Sequence, residues 1–349
     1  MIKRITLIAI VMLGVFTHSY ACRYTIREIG YSELFVPKYR LVLTADTVKS
    51  ESLIKDFKSI AFAYAMEANV TYNVEKDSDI QTIVRMFSEQ GDTLHEKQVK
   101  SRDDIIEVVT ASLGSVARER LVEALGNSFA VVLCVRGKED QGQYRASINK
   151  AISEFYKISS HLDKKVDEQI QVIEMKYQDR FEEQILLNCL GVDENNQVPA
   201  VAVLYGRGRI AGDVLQGNDI PFKDIFNKLV LIGTDCECGV DLSPLLKHAT
   251  PLSWDGKIKE RVAEMLNVDV DNPMTLTEMS QILAKGTTDS ISNAEALVNR
   301  VFEIADKKDI SEDKAIEDQK EGNLLLWVIG GFAVAIIVVG LFLYRRQSA

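Results

Sequence analysis

Histidine is scarce in this chain: four in 349 residues, of which only His95, His161 and His248 lie beyond residue 21. No His-Glu-x-x-His or His-x-x-Glu-His pairing occurs, which argues against a helical zinc-hydrolase site. No Gly-x-Ser-x-Gly elbow occurs either, which argues against a serine hydrolase of that design. A basic stripe interleaved with aromatics is also missing. The formal net charge is −10. Phosphate backbones are bound by clustered Lys and Arg, so nucleic acid is not an expected partner. The acidity is spread along the chain and reads as a solubilising surface. Gly206-Arg207-Gly208-Arg209-Ile210-Ala211-Gly212 lacks the Gly-Lys-Ser/Thr ending of a nucleotide loop and runs into a strand instead of opening a helix. Paired carboxylates such as Glu182-Glu183 read as a solvated helix face.

What is present suits a folded, exported protein. Hydrophobic residues make up 46% and charged residues 26%, enough for a real core, and the length allows two domains. Met1-Ile2-Lys3-Arg4 is a short positive segment, Ile5 to Phe16 is apolar, and Ser19-Tyr20-Ala21 places small residues before a cut. This is the three-part pattern of a secretory signal over 1–21. Near the other end, 324–344 carries no charged residue, and its 21 positions span about 32 Å as a helix. Trp327 and Tyr344 lie near its ends, and Arg345 and Arg346 follow at once. That predicts a single transmembrane helix in contact with lipid, with the tail 345–349 cytoplasmic and the N-terminal bulk outside the cytoplasm. A charged stretch, 306–323, reads as a solvated stalk.

Between the ends the pattern is α/β. A strand is predicted at Tyr39 to Thr44, followed by a helix from about Ser52 with Leu53, Phe57, Ile60, Ala61 and Tyr64 on one face. Val70, Tyr72 and Val74 alternate as a second strand. Thr82 to Val99 fits a hairpin turning at Gly91, and its first part fits a helix over Ile80 to Phe87 equally well. Asp103 to Leu125 is helical with a break at Gly114. A similar order then recurs: a buried strand at Phe129 to Val135, a helix at Tyr144 to Tyr156, a strand at Gln169 to Met175, and a helix over Arg180 to Leu190. Val198 to Tyr205 and Ile210 to Leu215 read as a hairpin around Gly206–Gly208, with Arg207 and Arg209 exposed at the turn as candidate contacts for an acidic partner. Phe222 to Val230 closes the unit, and Lys257 to about Ala305 is helical with breaks at Asn272-Pro273 and Gly286.

The second unit resembles the thioredoxin-like fold. Val198-Pro199 entering a strand, the glycine hairpin at Gly206–Gly208 and the helix after it carry the likeness. The first unit is similar to a weaker copy, with Gly91 at its hairpin. The implied organisation is a first α/β unit over 22–127, a second over 128–250 and a helical segment over 251–305. The resemblance also implies that Pro199 is a cis proline facing an active site. Oxidoreductases of that family carry Cys-x-x-Cys after the first strand, at a helix N-terminus that lowers the thiol pKa. Here Arg136-Gly137-Lys138-Glu139-Asp140-Gln141 stands at that place and Thr44-Ala45-Asp46-Thr47 in the first unit, without a cysteine.

Five cysteines are distributed elsewhere. Cys134 and Cys189 sit in apolar runs and read as small buried hydrophobes, with a mutual disulfide as the alternative. Cys22 follows the expected cut, where bacterial lipoproteins are acylated, but the preceding residues lack the usual leucine. Cys236 and Cys238 are one residue apart. They allow structural bridges, one of them to Cys22; a strained, easily reduced ring; or a soft-metal site with Cys22 or His248 as third ligand. Asp235, Glu237 and Asp241 disfavour thiolate formation there. The expectation is a non-enzymatic, membrane-tethered module that binds another envelope protein and needs no cofactor. The rival is a redox or metal protein using Cys236 and Cys238.

Overall fold

Thr25 opens the first helix by a reciprocal cap: its hydroxyl accepts from the Glu28 N–H, and the Glu28 carboxylate accepts from the Thr25 N–H at 2.7 Å. This helix, α1, is Ile26–Tyr31. The computed structural model describes residues 23–286 apart from 47, 78–80, 139, 141, 163, 194, 196 and 236–241. All of them fall within Met1–Val298, one of the two units into which the chain divides. The signal-type segment, Cys22, Cys236, Cys238, the charged stalk and the apolar run 324–344 lie outside the described residues. Among the described residues no helix is long and apolar enough to cross a membrane.

Two mixed sheets follow, built in the same order. The first contains β1 (Tyr39–Ala45), β2 (Val70–Lys76), β3 (Ile83–Phe87) and β4 (Thr93–Gln98), arranged β2-β1-β3-β4. β1 runs parallel to β2 and antiparallel to β3. Helix α2 (Glu51–Ala65) makes the crossover, and α3 (Arg102–Leu113) returns on the same face. Their stripes Phe57, Ile60, Ala61 and Ile105, Val108, Val109 pack on Leu41, Leu43 and Ala45. Tyr64 is not part of that stripe. It is 45% exposed, because Ala65 takes the buried place in the last turn. The segment 83–98 is the hairpin and not the helix: the Ser88 N–H donates to the Asp92 carbonyl at 2.8 Å, and Gly91 takes φ +96°. The break at Gly114 is real, since Gly114 is extended and Ser115 caps a new helix, α4 (Val116–Leu125).

The second sheet contains β5 (Ala130–Val135), β6 (Ile170–Met175), β7 (Ala200–Tyr205) and β8 (Arg209–Ile210), arranged β6-β5-β7-β8, with β9 (Leu215–Gln216) also on β7. Helix α5 (Tyr144–Ile158) makes the crossover and α7 (Phe222–Gly233) closes the unit. β5 and β7 are buried at every residue, as continuous apolar runs require when both faces are covered. Both sheets therefore show the thioredoxin-like plan of a βαβ unit followed by a hairpin and a helix. Two details differ from the sequence expectation. The helix over 180–190 is split into a 3-10 turn, Tyr177–Phe181, and a short α6, Gln184–Cys189. The strand expected over 210–215 is interrupted, because Gly212 at φ +67° turns the chain between β8 and β9.

Three more helices follow: α8 (Ser243–Leu246), α9 (Gly256–Leu266) and α10 (Pro273–Gly286). The division at 127 does not hold for packing, because α1 docks on the second sheet. A Cβ on Gly30 would lie 2.4 Å from Cε2 of the Tyr205 ring, so only glycine lets the helix approach this closely. The Arg207 N–H then donates to the Gly30 carbonyl at 3.0 Å, and the Tyr31 hydroxyl donates to the Leu125 carbonyl at 2.5 Å.

Candidate functional site

The place of a thioredoxin-like dithiol is the turn between β5 and α5. Here Asp140 fills it. Its carboxylate, 1% exposed, accepts from the Gly142 N–H at 2.5 Å, the Tyr144 hydroxyl at 2.9 Å and Arg136 Nε at 3.3 Å. Burial first, then this carboxylate, raises the Tyr144 phenol above its ordinary value. The facing segment is pressed against the turn: a Cβ on Gly137 would lie 2.1 Å from the Gln197 carbonyl oxygen. Pro199 enters β7 from that segment, but its peptide bond is trans, as are the others among the described residues. An X-Pro bond prefers trans by about 0.5–1 kcal/mol, and Arg180 Nη2 holds the Val198 carbonyl at 3.2 Å in that geometry. The position is thus occupied by a hydrogen-bonded carboxylate closed in by backbone.

The described cysteines are free and far from thiolate chemistry. Cys134 is fully buried in β5, and burial, aided by Glu174, pushes its thiol up to about 12. Cys189 ends α6 against the core of the first sheet; burial pushes its thiol up to about 11, partly offset by the Tyr39 hydroxyl and Arg118. They lie in separate cores and form no mutual disulfide. Cys22, Cys236 and Cys238 lie outside the described residues, but their chain neighbours meet: Thr25 and Asp235 form an antiparallel bridge, and the Ile26 N–H donates to the Thr234 carbonyl at 3.0 Å. His248 is exposed beside the bridge between Arg209 and Ala249 and borders a cleft of about 650 Å³ with Cys189 and Asp213. Among the described residues no three His, Cys, Asp or Glu side chains gather as a metal site.

Arg207 and Arg209 are not exposed contacts. Arg207 is 9% exposed and ion-paired to Glu33 at 2.9 Å and to Asp271. Arg209 is fully buried and donates to the carbonyls of Gly30 at 2.8 Å, Ser32 at 2.9 Å, Leu34 at 2.6 Å and Leu246. Burial lowers its guanidinium to about 10. The physical reason is helix ends: α1 and α8 finish beside the hairpin and leave carbonyls without intrahelical donors, and a guanidinium supplies several at once. Arg118 does the same at the end of α3, donating to the carbonyls of Ser112 at 2.7 Å and of Ala111. The short Gly-Arg-Gly-Arg pattern carries no signal of this, because the carbonyls come from distant parts of the chain.

A cavity of about 320 Å³ opens where β2 begins. Lys38, Asn69, Val70, Leu252, Trp254 and Lys259 are among its walls. Trp254 is 4% exposed. Its Nε1 and the Asn69 Oδ1 are buried without a protein partner, which costs about 1–3 kcal/mol for each group. Lys38 and Lys259 have no ion-pair partner among the described residues, whereas the nearby Arg207 is matched by Glu33 and Asp271. β2 is the terminal strand of its sheet. The Tyr39 N–H donates to Asn69 and the Asp77 N–H donates to Ala45, so odd-numbered residues face β1. The backbone groups of Val70, Tyr72, Val74 and Lys76 therefore point outward; among the described residues the Val74 N–H is taken by the Asn73 side chain at 2.8 Å, and just before β2 the same edge is paired, Ala68 with Ser253. Sequence reasoning missed this site; its one visible signal was Trp254, one of two tryptophans in the chain.

Comparison with solved structures returns thioredoxin-type proteins at low similarity. The first two thioredoxin domains of Naumovozyma dairenensis Eps1p align with 8% identity over 60% of this chain and 96% of that one, at a TM-score of 0.20. Human ERp44 in its zinc-bound form aligns with 10% identity over 60% of each chain, at 0.20. The NTD_N/C domain of the alkylhydroperoxide reductase AhpF from Enterococcus faecalis aligns with 13% identity over 58% and 95%, at 0.18. No protein-family model matches the sequence, and no curated protein matches it. The thioredoxin-like character accordingly rests on the strand order shared by the two sheets. The strand order is similar to the thioredoxin-like plan, and in the second unit the turn after β5 holds the buried carboxylate of Asp140.

Proposed function

We propose that this protein is a non-enzymatic interaction domain of an envelope complex, exported and tethered to the membrane by 324–344. The observation that carries this reading is Asp140. A scaffold that keeps its frame while holding a buried, fully bonded carboxylate at the dithiol position suits binding better than thiol exchange. The signal-type N-terminus and the apolar run followed by Arg345 and Arg346 support an extracytoplasmic domain anchored in lipid. Crosslinking in intact cells, followed by purification of the full-length chain, tests it. A specific envelope protein recovered in repeatable yield is the expected result; recovery of none would count heavily against the proposal. Protease added outside should degrade the folded part and spare the tail.

One observation favours a second reading, an envelope redox or metal protein. The Thr25–Asp235 bridge lies three residues from Cys22 and one from Cys236. The bridge joins the two segments whose neighbours in sequence are Cys22 and the Cys236/Cys238 pair. Non-reducing mass spectrometry and metal analysis of the purified chain separate the readings. Unreactive structural bridges without metal fit the first. A readily reduced 236–238 bond, or stoichiometric metal lost on Cys236→Ser and Cys238→Ser, would replace it with the second, with His248 as a candidate third ligand.

A further inference from the structure

We propose that the free edge of β2 and the cavity at its start form a docking site for an extended peptide that ends in a free carboxylate. The inference rests on the interaction-domain reading and names the chemistry of the partner. An edge strand of seven residues, Val70–Lys76, with outward backbone groups at alternate positions is a template for an added strand. It has no proline and no bulge to blunt it.

Direction and terminus follow from charge. A peptide lying antiparallel to β2 runs from Lys76 towards Val70 and delivers its C-terminus to the cavity. There Lys38 and Lys259 supply positive charge without ion-pair partners among the described residues, and the wall includes Trp254 and Asn69, whose buried Nε1 and Oδ1 are a donor and an acceptor without protein partners. A carboxylate and the last peptide N–H are the groups that answer this pair. A parallel peptide would bring its ammonium to the same lysines and be repelled. Glu67 stands at the rim, but the two lysines outnumber it, and Glu33 is engaged by Arg207. Met66, 69% exposed beside the cavity, offers an apolar contact for a terminal side chain.

The test pans purified full-length protein in detergent against a randomised heptapeptide pool with free C-terminal carboxylates and against the same pool amidated. Free acids should be enriched at least about tenfold over amides, equivalent to about 1.4 kcal/mol. Lys259→Glu should bring recovery down to the amide level. Tyr72→Pro should do the same, since it deletes an outward N–H that takes no part in the ladder with β1. Thermal unfolding checks that each variant folds, and Lys38→Glu replaces Tyr72→Pro if that variant does not. Equal recovery of acids and amides, no enrichment of either, or enrichment that survives Lys259→Glu overturns the proposal. If crosslinking still recovers an envelope partner while the peptide pool fails, the edge site falls alone; if both fail, the interaction reading falls with it.

Discussion

The two sheets share a strand order and differ in cover. The central strands β5 and β7 are buried at every residue, whereas in the first sheet β1 exposes Arg40 and β3 alternates; of the terminal strands, β2 is exposed at most positions and β6 is buried at its two ends. α1 and α4 flank the first sheet in sequence, yet α1 docks on Tyr205 of β7 and the Tyr31 hydroxyl ties it to the end of α4. The same topology thus covers the central strands of the second sheet on both faces and leaves the first sheet more open. What separates them is which elements are spent on which sheet.

The largest expected effect concerns the arginines. Arg209→Met removes the guanidinium donor from the carbonyls of Gly30, Ser32, Leu34 and Leu246, of which Gly30 keeps the Arg207 N–H, and should cost about 3–5 kcal/mol in denaturant unfolding. Arg85→Met in the first sheet loses a half-exposed pair with Glu96 and a long hydrogen bond to the Thr44 hydroxyl at 3.5 Å and should cost about 1 kcal/mol. Equal losses would break the contrast. Next come the strands. Leu133→Ala in β5 should cost about 2–5 kcal/mol, and Glu75→Ala on β2 should stay within about 0.5 kcal/mol.

The hairpin glycines sharpen the comparison further. A Cβ on Gly206 would lie 2.3 Å from the Gly30 backbone, and its φ is +54°. Gly206→Ala should therefore cost about 1–3 kcal/mol from overpacking and about 1–2 more from the left-handed backbone. Gly91, at φ +96° with nothing within 4 Å, has only the backbone cost, so Gly91→Ala should be the milder change in thermal unfolding. The smallest effect is in acid. Burial, then Lys97 and Arg118, lowers the His95 imidazole below its ordinary 6.5. The unfolded chain then takes up the proton first, so stability should fall as pH drops below about 6.5. His95→Gln should flatten that slope; an unchanged slope would remove His95 from the account.

Much of the fold was legible because it is written in local periodicity. The apolar runs of β5 and β7, the stripe Phe57–Ala61 of α2 and the serine-capped break at Gly114 are properties of short segments. The choice between hairpin and helix at 80–99 was not legible, because a short apolar run fits both and only the partner strand β1 decides it. Arg209 was misread for a related reason. An arginine just after a glycine turn looks exposed until carbonyls from α1 and α8 converge on it. The candidate site was less legible still: Lys38, Asn69, Trp254 and Lys259 are far apart in the chain and share no motif.

The amino-acid order alone determined the absence of a dithiol motif, the two charged-then-apolar ends and the repeated strand–helix rhythm, since each depends on residue type and near spacing. Only the tertiary structure decided which half would be covered on both faces, which arginines would be buried and where a strand edge would stay free. Those outcomes depend on contacts between residues more than 200 positions apart, such as Tyr39 with Ala249 across 210. Packing selects them by satisfying buried polar groups wherever the chain happens to bring them together.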